Sequence, residues 1–257
     1  MRQQSKVQIN VRGLVLGGPM PAVCLPLVGD SREKVVEEAK ALITFEPDLL
    51  EWRIDGYEQV ESIPDSLALL REVRSIIGEI PLIFTCRIDE EGGMRVISRQ
   101  DRLDLVCAAM ETGDVDILDV ELCNDRGFIA AVKEQSVKSG VKLILSHHNF
   151  TETPSEAFIY HKLAAAQEAG ADIAKLAAMP QSEDDVLTLL GATLRARKEV
   201  VDGPIVTMSM GTTGVLSRLA GGLYGSDITF AVGMAASAPG QIPIGELKQG
   251  MALLYND

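Results

Sequence analysis

Short apolar runs recur along the chain, and longer stretches with a helical rhythm of apolar positions separate them. The first pair is different. Residues 7–11 and 14–16 flank Arg12-Gly13, a hairpin pattern, and Gly17-Gly18-Pro19 then breaks the chain. Core strands are expected over 22–28, 49–54, 81–87, 115–122, 141–147, 172–176, 204–209 and 228–232. Helix starts are written between them. Asp30 caps a helix over 31–41, and Ser62-Ile63-Pro64-Asp65 opens one that runs to Gly78. Ser98 and Asp125 begin two more, which stop by Gly113 and Gly140. Thr153-Pro154-Ser155-Glu156 reads as a capping box with proline in the first helical position, closed by Gly170. Ser182 precedes three acids at a positive helix end, and residues 243–254 form a last helix. Eight strands alternating with helices imply a parallel sheet. Eight units in 257 residues fit an α/β fold, a single (β/α)8 barrel over 1–257 with a short N-terminal β-hairpin. An open doubly wound sheet is the alternative.

Polar residues at the C-terminal strand ends favour the barrel, because that is where its active site lies. Side chains alternate along a strand. Glu51, Arg53 and Asp55 therefore share one face, with Leu50, Trp52 and Ile54 on the other. Thr85 and Arg87 align, as do Asp119 and Glu121, and Ser146 and His148. Lys175 ends an apolar strand. It reads either as an ammonium reaching the rim or as a desolvated amine that attacks a carbonyl. A structural salt-bridge layer accounts for Asp119 and Glu121. It accounts less well for two arginines, a lysine and a histidine in an acidic protein, a set that suits an anionic small molecule.

Composition narrows the classes. The formal charge of −13 argues against nucleic acid or an anionic membrane as partner. No apolar run approaches the roughly 20 residues of a membrane span, and the opening residues form no signal peptide. Cys24, Cys86, Cys107 and Cys123 make no Cys-x-x-Cys pair and read as reduced thiols of a cytoplasmic protein. No His-x-x-x-His spacing or Cys/His cluster suggests a metal. His161, mid-helix, reads as an ordinary residue.

Two glycine-rich stretches, 211–214 and 221–225, flank Arg218. They read as a phosphate loop or as tight turns beside a movable lid, and Arg218 could grip an anion. Residues 235–241 form a small-residue loop with a hydroxyl and an amide, a plausible lid.

Taken together, Glu51-Trp52-Arg53-Ile54-Asp55, Thr85-Cys86-Arg87, Ser146-His147-His148-Asn149-Phe150, Ile173-Ala174-Lys175, Gly211-Thr212-Thr213-Gly214 with Ser217-Arg218, and Ser237-Ala238-Pro239-Gly240-Gln241 resemble the type I 3-dehydroquinate dehydratases. The motifs follow the family's order and spacing over nearly the whole chain. The resemblance implies a cofactor-free, metal-free hydro-lyase of the shikimate pathway, acting on 3-dehydroquinate as a homodimer. It implies Lys175 as the Schiff-base lysine, His148 as general acid/base and Glu91 as the carboxylate orienting it. It implies Glu51, Arg53, Arg87, Arg218, Ser237 and Gln241 as substrate-binding. Two positions depart from the pattern: Asn149 stands where aspartate is common, and Pro26 where some members bind substrate through serine. A Schiff-base aldolase on the same barrel and a non-catalytic sensor of hydroxy-acids are the rival readings.

Overall fold

The computed structural model describes residues 2–255; residues 1, 256 and 257 of the expected 1–257 domain lie outside them. β1 (Ile9–Val11) and β2 (Leu14–Leu16) pair antiparallel. Arg12 at φ 46° and Gly13 at φ 86° supply the two positive dihedrals that a tight hairpin turn needs. Strands and helices then alternate: β3 (Ala22–Leu27), α1 (Arg32–Leu42), β4 (Leu49–Arg53), α2 (Ile63–Ile77), β5 (Leu82–Thr85) and α3 (Arg99–Glu111). β6 (Ile117–Glu121), α4 (Arg126–Ser139), β7 (Lys142–Asn149), α5 (Glu156–Glu168), β8 (Ile173–Ala178) and α6 (Glu183–Glu199) follow. β9 (Ile205–Ser209), α7 (Val215–Ala220), β10 (Ile228–Val232), β11 (Ile242–Pro243) and α8 (Ile244–Tyr255) complete the described chain.

β10, β3, β4, β5, β6, β7, β8 and β9 are neighbours in that order, all parallel. The ring closes between β9 and β10 through a bridge from Ile205 to Ser226. Side chains complete this seam: Asp227 Oδ2 accepts the Ile205 N–H at 2.7 Å, and Ser226 Oγ accepts the Thr207 N–H at 3.1 Å. The result is a closed (β/α)8 barrel, with β11 added on the outer edge of β10.

One device recurs at the lower rim. Asp48, Asp116, Asp172 and Asp227 each stand one residue before β4, β6, β8 and β10. Each donates its backbone N–H to a carbonyl of the preceding strand and accepts the N–H of the same residue: Val23, Leu82, Leu143 and Ile205 in turn. The carboxylates satisfy strand-start amides that have no ladder partner, and they pin the register of alternate strands.

Inside the ring, Leu49, Ile83, Ile117, Ile144, Ile173, Val206 and Ile228 pack as a dry plug, and Val11 and Leu16 of the hairpin close its N-terminal end. Outside, Trp52 meets Phe84 edge-on at 5.6 Å in the layer between strands and helices. Truncating so large a buried aromatic costs about 3–5 kcal/mol. The plug leaves only the C-terminal mouth for polar side chains.

Several boundaries differ from the sequence pattern. Ser31, rather than Asp30, caps α1, accepting from the Lys34 N–H; Asp30 pairs with the Lys34 ammonium. Ser155 caps α5, so Pro154 lies outside the helix. β4 stops at Arg53, because residues 54–56 form a 3-10 turn that breaks the alternation before Asp55. β7 runs on to Asn149. The short α7, flanked by glycines, has too few residues to show a helical period.

Candidate active site

Lys175 rises from the middle of β8 on the inward face, with only 5% of its side chain exposed. Its Nζ lies 2.6 Å from Asp119 Oδ2 on β6 and 3.5 Å from Glu51 Oε1 on β4. The Phe230 ring of β10 sits 4.8 Å beneath it. The amine is therefore held in an ion pair instead of reaching the rim. Asp119 was placed by sequence in a structural layer; here it is the lysine's nearest partner. Burial alone would raise its carboxyl, but the charges of Arg87 and Lys175 outweigh that and hold it well below the usual range. Glu121 does belong to a structural network, accepting from Arg87 at 2.9 Å and Arg102 at 3.0 Å.

His148 lies on β7, the strand next to β8. Ser146 pairs with Lys175 in register, so His148, two residues on, is the lysine's diagonal neighbour on the inward face. β6 has already ended at this level, which leaves the β7 edge bare. Glu91, from the 3-10 turn Asp89–Glu91, fills the gap. Its Oε2 accepts the His148 backbone N–H at 2.8 Å and contacts ring Nδ1 at 3.0 Å. Burial would raise the Glu91 carboxyl, but the neighbouring imidazoles of His147 and His148 and the charge of Arg87 hold it far below the ordinary value. An ionised carboxylate on Nδ1 fixes the proton there and leaves the Nε2 lone pair for the pocket. Burial, then the charges of Arg87 and Lys175, pull the imidazole down to about 3, so it is neutral at neutral pH.

Eight of the nine residues expected from the sequence line one pocket of about 420 Å³: Glu51, Arg53, Arg87, Glu91, His148, Lys175, Ser237 and Gln241. Phe150, Met208, Met210 and Phe230 give it apolar walls. Arg53 is gripped by Asp55 through two bonds of 2.9 and 2.8 Å, and Asp55 also accepts the Met94 N–H. Asp55 thus serves as a buried anchor rather than a pocket residue. Ser237 and Gln241 bond to each other, through Ser237 N to Gln241 Oε1 and Gln241 Nε2 to Ser237 Oγ.

Arg218, on α7, stands just behind the pocket wall, with its guanidinium against Met208 Sδ and donating to the Pro239 carbonyl at 2.9 Å. The other buried arginines each pair with a carboxylate; among the described residues Arg218 has none within 4 Å. Burial lowers it to about 10. A desolvated cation without a counter-charge is costly unless an anion arrives. The flanking glycines serve close backbone packing. A Cβ on Gly240 would stand 2.1 Å from the Gly211 carbonyl, and one on Gly214 2.2 Å from that of Ser209.

Residues 23–257 match the family described as type I 3-dehydroquinase. The chain is 43% identical over 251 residues to a 3-dehydroquinate dehydratase of Geobacillus thermodenitrificans, covering 97% of each. The chain belongs to the type I 3-dehydroquinase family. It superposes on the 3-dehydroquinate dehydratase of Geobacillus kaustophilus with a TM-score of 0.95 at 41% identity, over 99% of this chain and 98% of that one. The type I enzyme from Clostridium difficile, solved with covalent modified comenic acid, gives 0.93 at 42% identity, over 97% and 98%. The chain is accordingly a hydro-lyase, dehydrating 3-dehydroquinate in the shikimate pathway. Membership in the type I family sets aside the aldolase and sensor readings. No helix among the described residues is long and apolar enough to cross a membrane.

Both departures from the family pattern have a local account. Asn149 Oδ1 accepts from Thr151 N, Thr151 Oγ1 and Glu152 N, so it ties the turn after β7 and needs no charge. Pro26 pairs in register with Glu51 and is buried, outside the pocket wall. Cys123, expected as a small apolar residue, is exposed on the loop after β6.

Proposed function

We propose that the dehydration runs through an imine on Lys175, with His148 as the single acid/base. The observation that carries this reading is the facing pair: a buried primary amine and a neutral imidazole on neighbouring strands of one pocket, with Nδ1 of the imidazole held by Glu91. Asp119, 2.6 Å away, takes the ammonium proton as the amine attacks the ring ketone. Loss of one water leaves a protonated imine, an electron sink that acidifies the adjacent carbon. His148 Nε2 removes that proton, and the resulting imidazolium returns it to the departing hydroxyl. Proton and hydroxyl leave from the same face because one ring serves both. Hydrolysis of the product imine consumes one water, so the net release is one.

The substrate carboxylate goes to Arg218, replacing the Pro239 carbonyl there, which couples binding to movement of the 235–241 lid. Glu51, Arg53, Gln241 and Ser237 hold ring hydroxyls, and Arg87 sets the field around Lys175 and His148. The family resemblance also supports a cytoplasmic homodimer, which light scattering of the purified chain tests. Borohydride added during turnover tests the imine. The peptide carrying Lys175 should gain the mass of reduced product; turnover without that gain would remove the step.

A further inference from the structure

Glu91 has two oxygens, and His148 uses only one. Both the His148 backbone N–H and its ring Nδ1 converge on Oε2. The other oxygen, Oε1, lies 3.4 Å from Nδ1 of His147, the preceding residue on β7. His147 points away from the pocket: its ring rests on Phe158 of α5 at 5.6 Å, and the Lys162 ammonium lies over that aromatic group, 5.4 Å from its centroid. His147 Nδ1 is buried and makes no hydrogen bond in this arrangement. Leaving a buried ring nitrogen unpaired is unfavourable, and Glu91 Oε1, at 3.4 Å, is the acceptor within its reach. The strand edge left bare by β6 lets one carboxylate reach both successive imidazoles, although their rings leave opposite faces of β7.

We propose that His147 is a second positioning residue for the dehydration, holding Glu91 by Oε1 so that Oε2 stays on His148. The proposal rests on the reading of His148 as acid/base. The charged and titratable groups around the pair are Arg87, Lys175 and Asp119, facing His148 from just past the end of β5, from β8 and from β6, and Cys123, facing Glu91 from the loop after β6. The thiol, raised by partial desolvation against Glu91 and by that carboxylate's charge, adds no charge near neutrality.

His147→Phe keeps the ring packed on Phe158 and removes the N–H. Glu91, with one donor fewer, then holds the His148 imidazolium harder. The acid limb of kcat/KM against pH should move up by roughly half to one unit, and kcat should fall about three- to tenfold, the weight of one hydrogen bond on the carboxylate. KM should stay within about twofold, because His147 touches no substrate. His147→Asn puts an amide N–H near the Nδ1 position and should restore the wild-type limb. An unmoved limb in His147→Phe, or equal impairment of the Phe and Asn variants, would show that His147 only packs. His148→Ala is the separate control: if it keeps both turnover and the acid limb, the assignment of His148 fails, whatever His147 does. Should His147→Phe not fold, the Asn variant against His147→Ala reads the same limb.

Discussion

The carboxylate of Glu91 stands where the next strand would be. Its Oε2 accepts the His148 backbone N–H at 2.8 Å, a bond that β6 would supply had it not ended at Glu121. The ring Nδ1 meets the same oxygen at 3.0 Å, so the backbone fixes where the carboxylate is and the carboxylate fixes the imidazole tautomer. Glutamine in place of Glu91 can donate to Nδ1 and put the proton on Nε2, where the base must be free. Glu91→Gln should therefore lose about 10²–10⁴ in kcat, and Glu91→Ala less, since alanine removes the orientation without enforcing the wrong tautomer. Steady-state kinetics of the two variants decide it, and near-normal turnover of the glutamine variant would end the orienting role.

Asp119 carries a second prediction. It is fully buried and bonds to Lys175, Arg87 and Ser146. In Asp119→Asn the amine keeps a hydrogen-bonding neighbour but loses the proposed proton acceptor. Imine formation should slow about 10²–10⁴-fold, while hydride trapping still labels Lys175 at long times. A stopped-flow rate of imine formation equal to wild type would return Asp119 to the structural layer.

How much of this was legible in the sequence follows from what periodicity reports. Strand alternation placed Glu51, Arg87, His148 and Lys175 on the inward face, because a period of two depends only on the pleat. It could not say that Asp119 touches Lys175, since that requires the register between β6, β7 and β8. Asp55 was lost for a related reason: the strand ends at Arg53 and the alternation with it. Glu91 sits on a 3-10 turn with no period, so only the family resemblance pointed to it. One signal was readable and passed over. Asp48-Leu49, Asp116-Ile117, Asp172-Ile173 and Asp227-Ile228 open every second barrel strand, the even-numbered β4 to β10, a repeat that marks the rim bonds.

Those rim bonds are not equal. Asp48 is exposed and its carboxylate supports one amide, whereas Asp227 is fully buried and also holds Arg2, Arg197 and Ser5 at the seam. Asp48→Ala should cost about 1 kcal/mol, one ordinary hydrogen bond. Asp227→Ala strands two buried guanidiniums and should cost about 3–5 kcal/mol. Urea unfolding of both variants gives the comparison, and equal midpoints would mean that the seam is closed by backbone alone.

The buried imidazole sets a pH window for stability. His148 falls from 6.5 in the unfolded chain to about 3 when folded, so folding excludes its proton. A depressed value means that the contribution is whole above pH 6.5 and is lost as pH falls toward 3. By pH 4.5 the loss should reach about 2–3 kcal/mol, at the linkage value of 1.36 kcal/mol per unit. Glu91, also depressed, acts only below 4.5, so of the two groups His148 alone acts between pH 6.5 and 4.5. Between pH 6.5 and 4.5 the wild type should lose stability more steeply than His148→Ala in parallel urea titrations. Identical slopes would mean that His148 is solvated in the folded state.

Arg218 separates stability from function most cleanly. Its charge is buried with no carboxylate to answer it, and its hydrogen bonds go to neutral carbonyls of Phe230 and Pro239. Removing the charge relieves an uncompensated desolvation, as happens when buried ionic groups give way to packed apolar ones. Arg218→Met matches the length of the stem and should hold or raise the unfolding midpoint, by roughly 1–3 kcal/mol. The same change removes the group proposed to hold the substrate carboxylate. A charge-assisted pair is worth about 1.5–3 kcal/mol, so KM should rise roughly 10- to 100-fold with a smaller change in kcat. The two effects have opposite signs and are measured independently, by urea unfolding and by steady-state kinetics. A variant that is both less stable and unchanged in KM would make Arg218 a structural cation, and the carboxylate would have to bind elsewhere in the pocket.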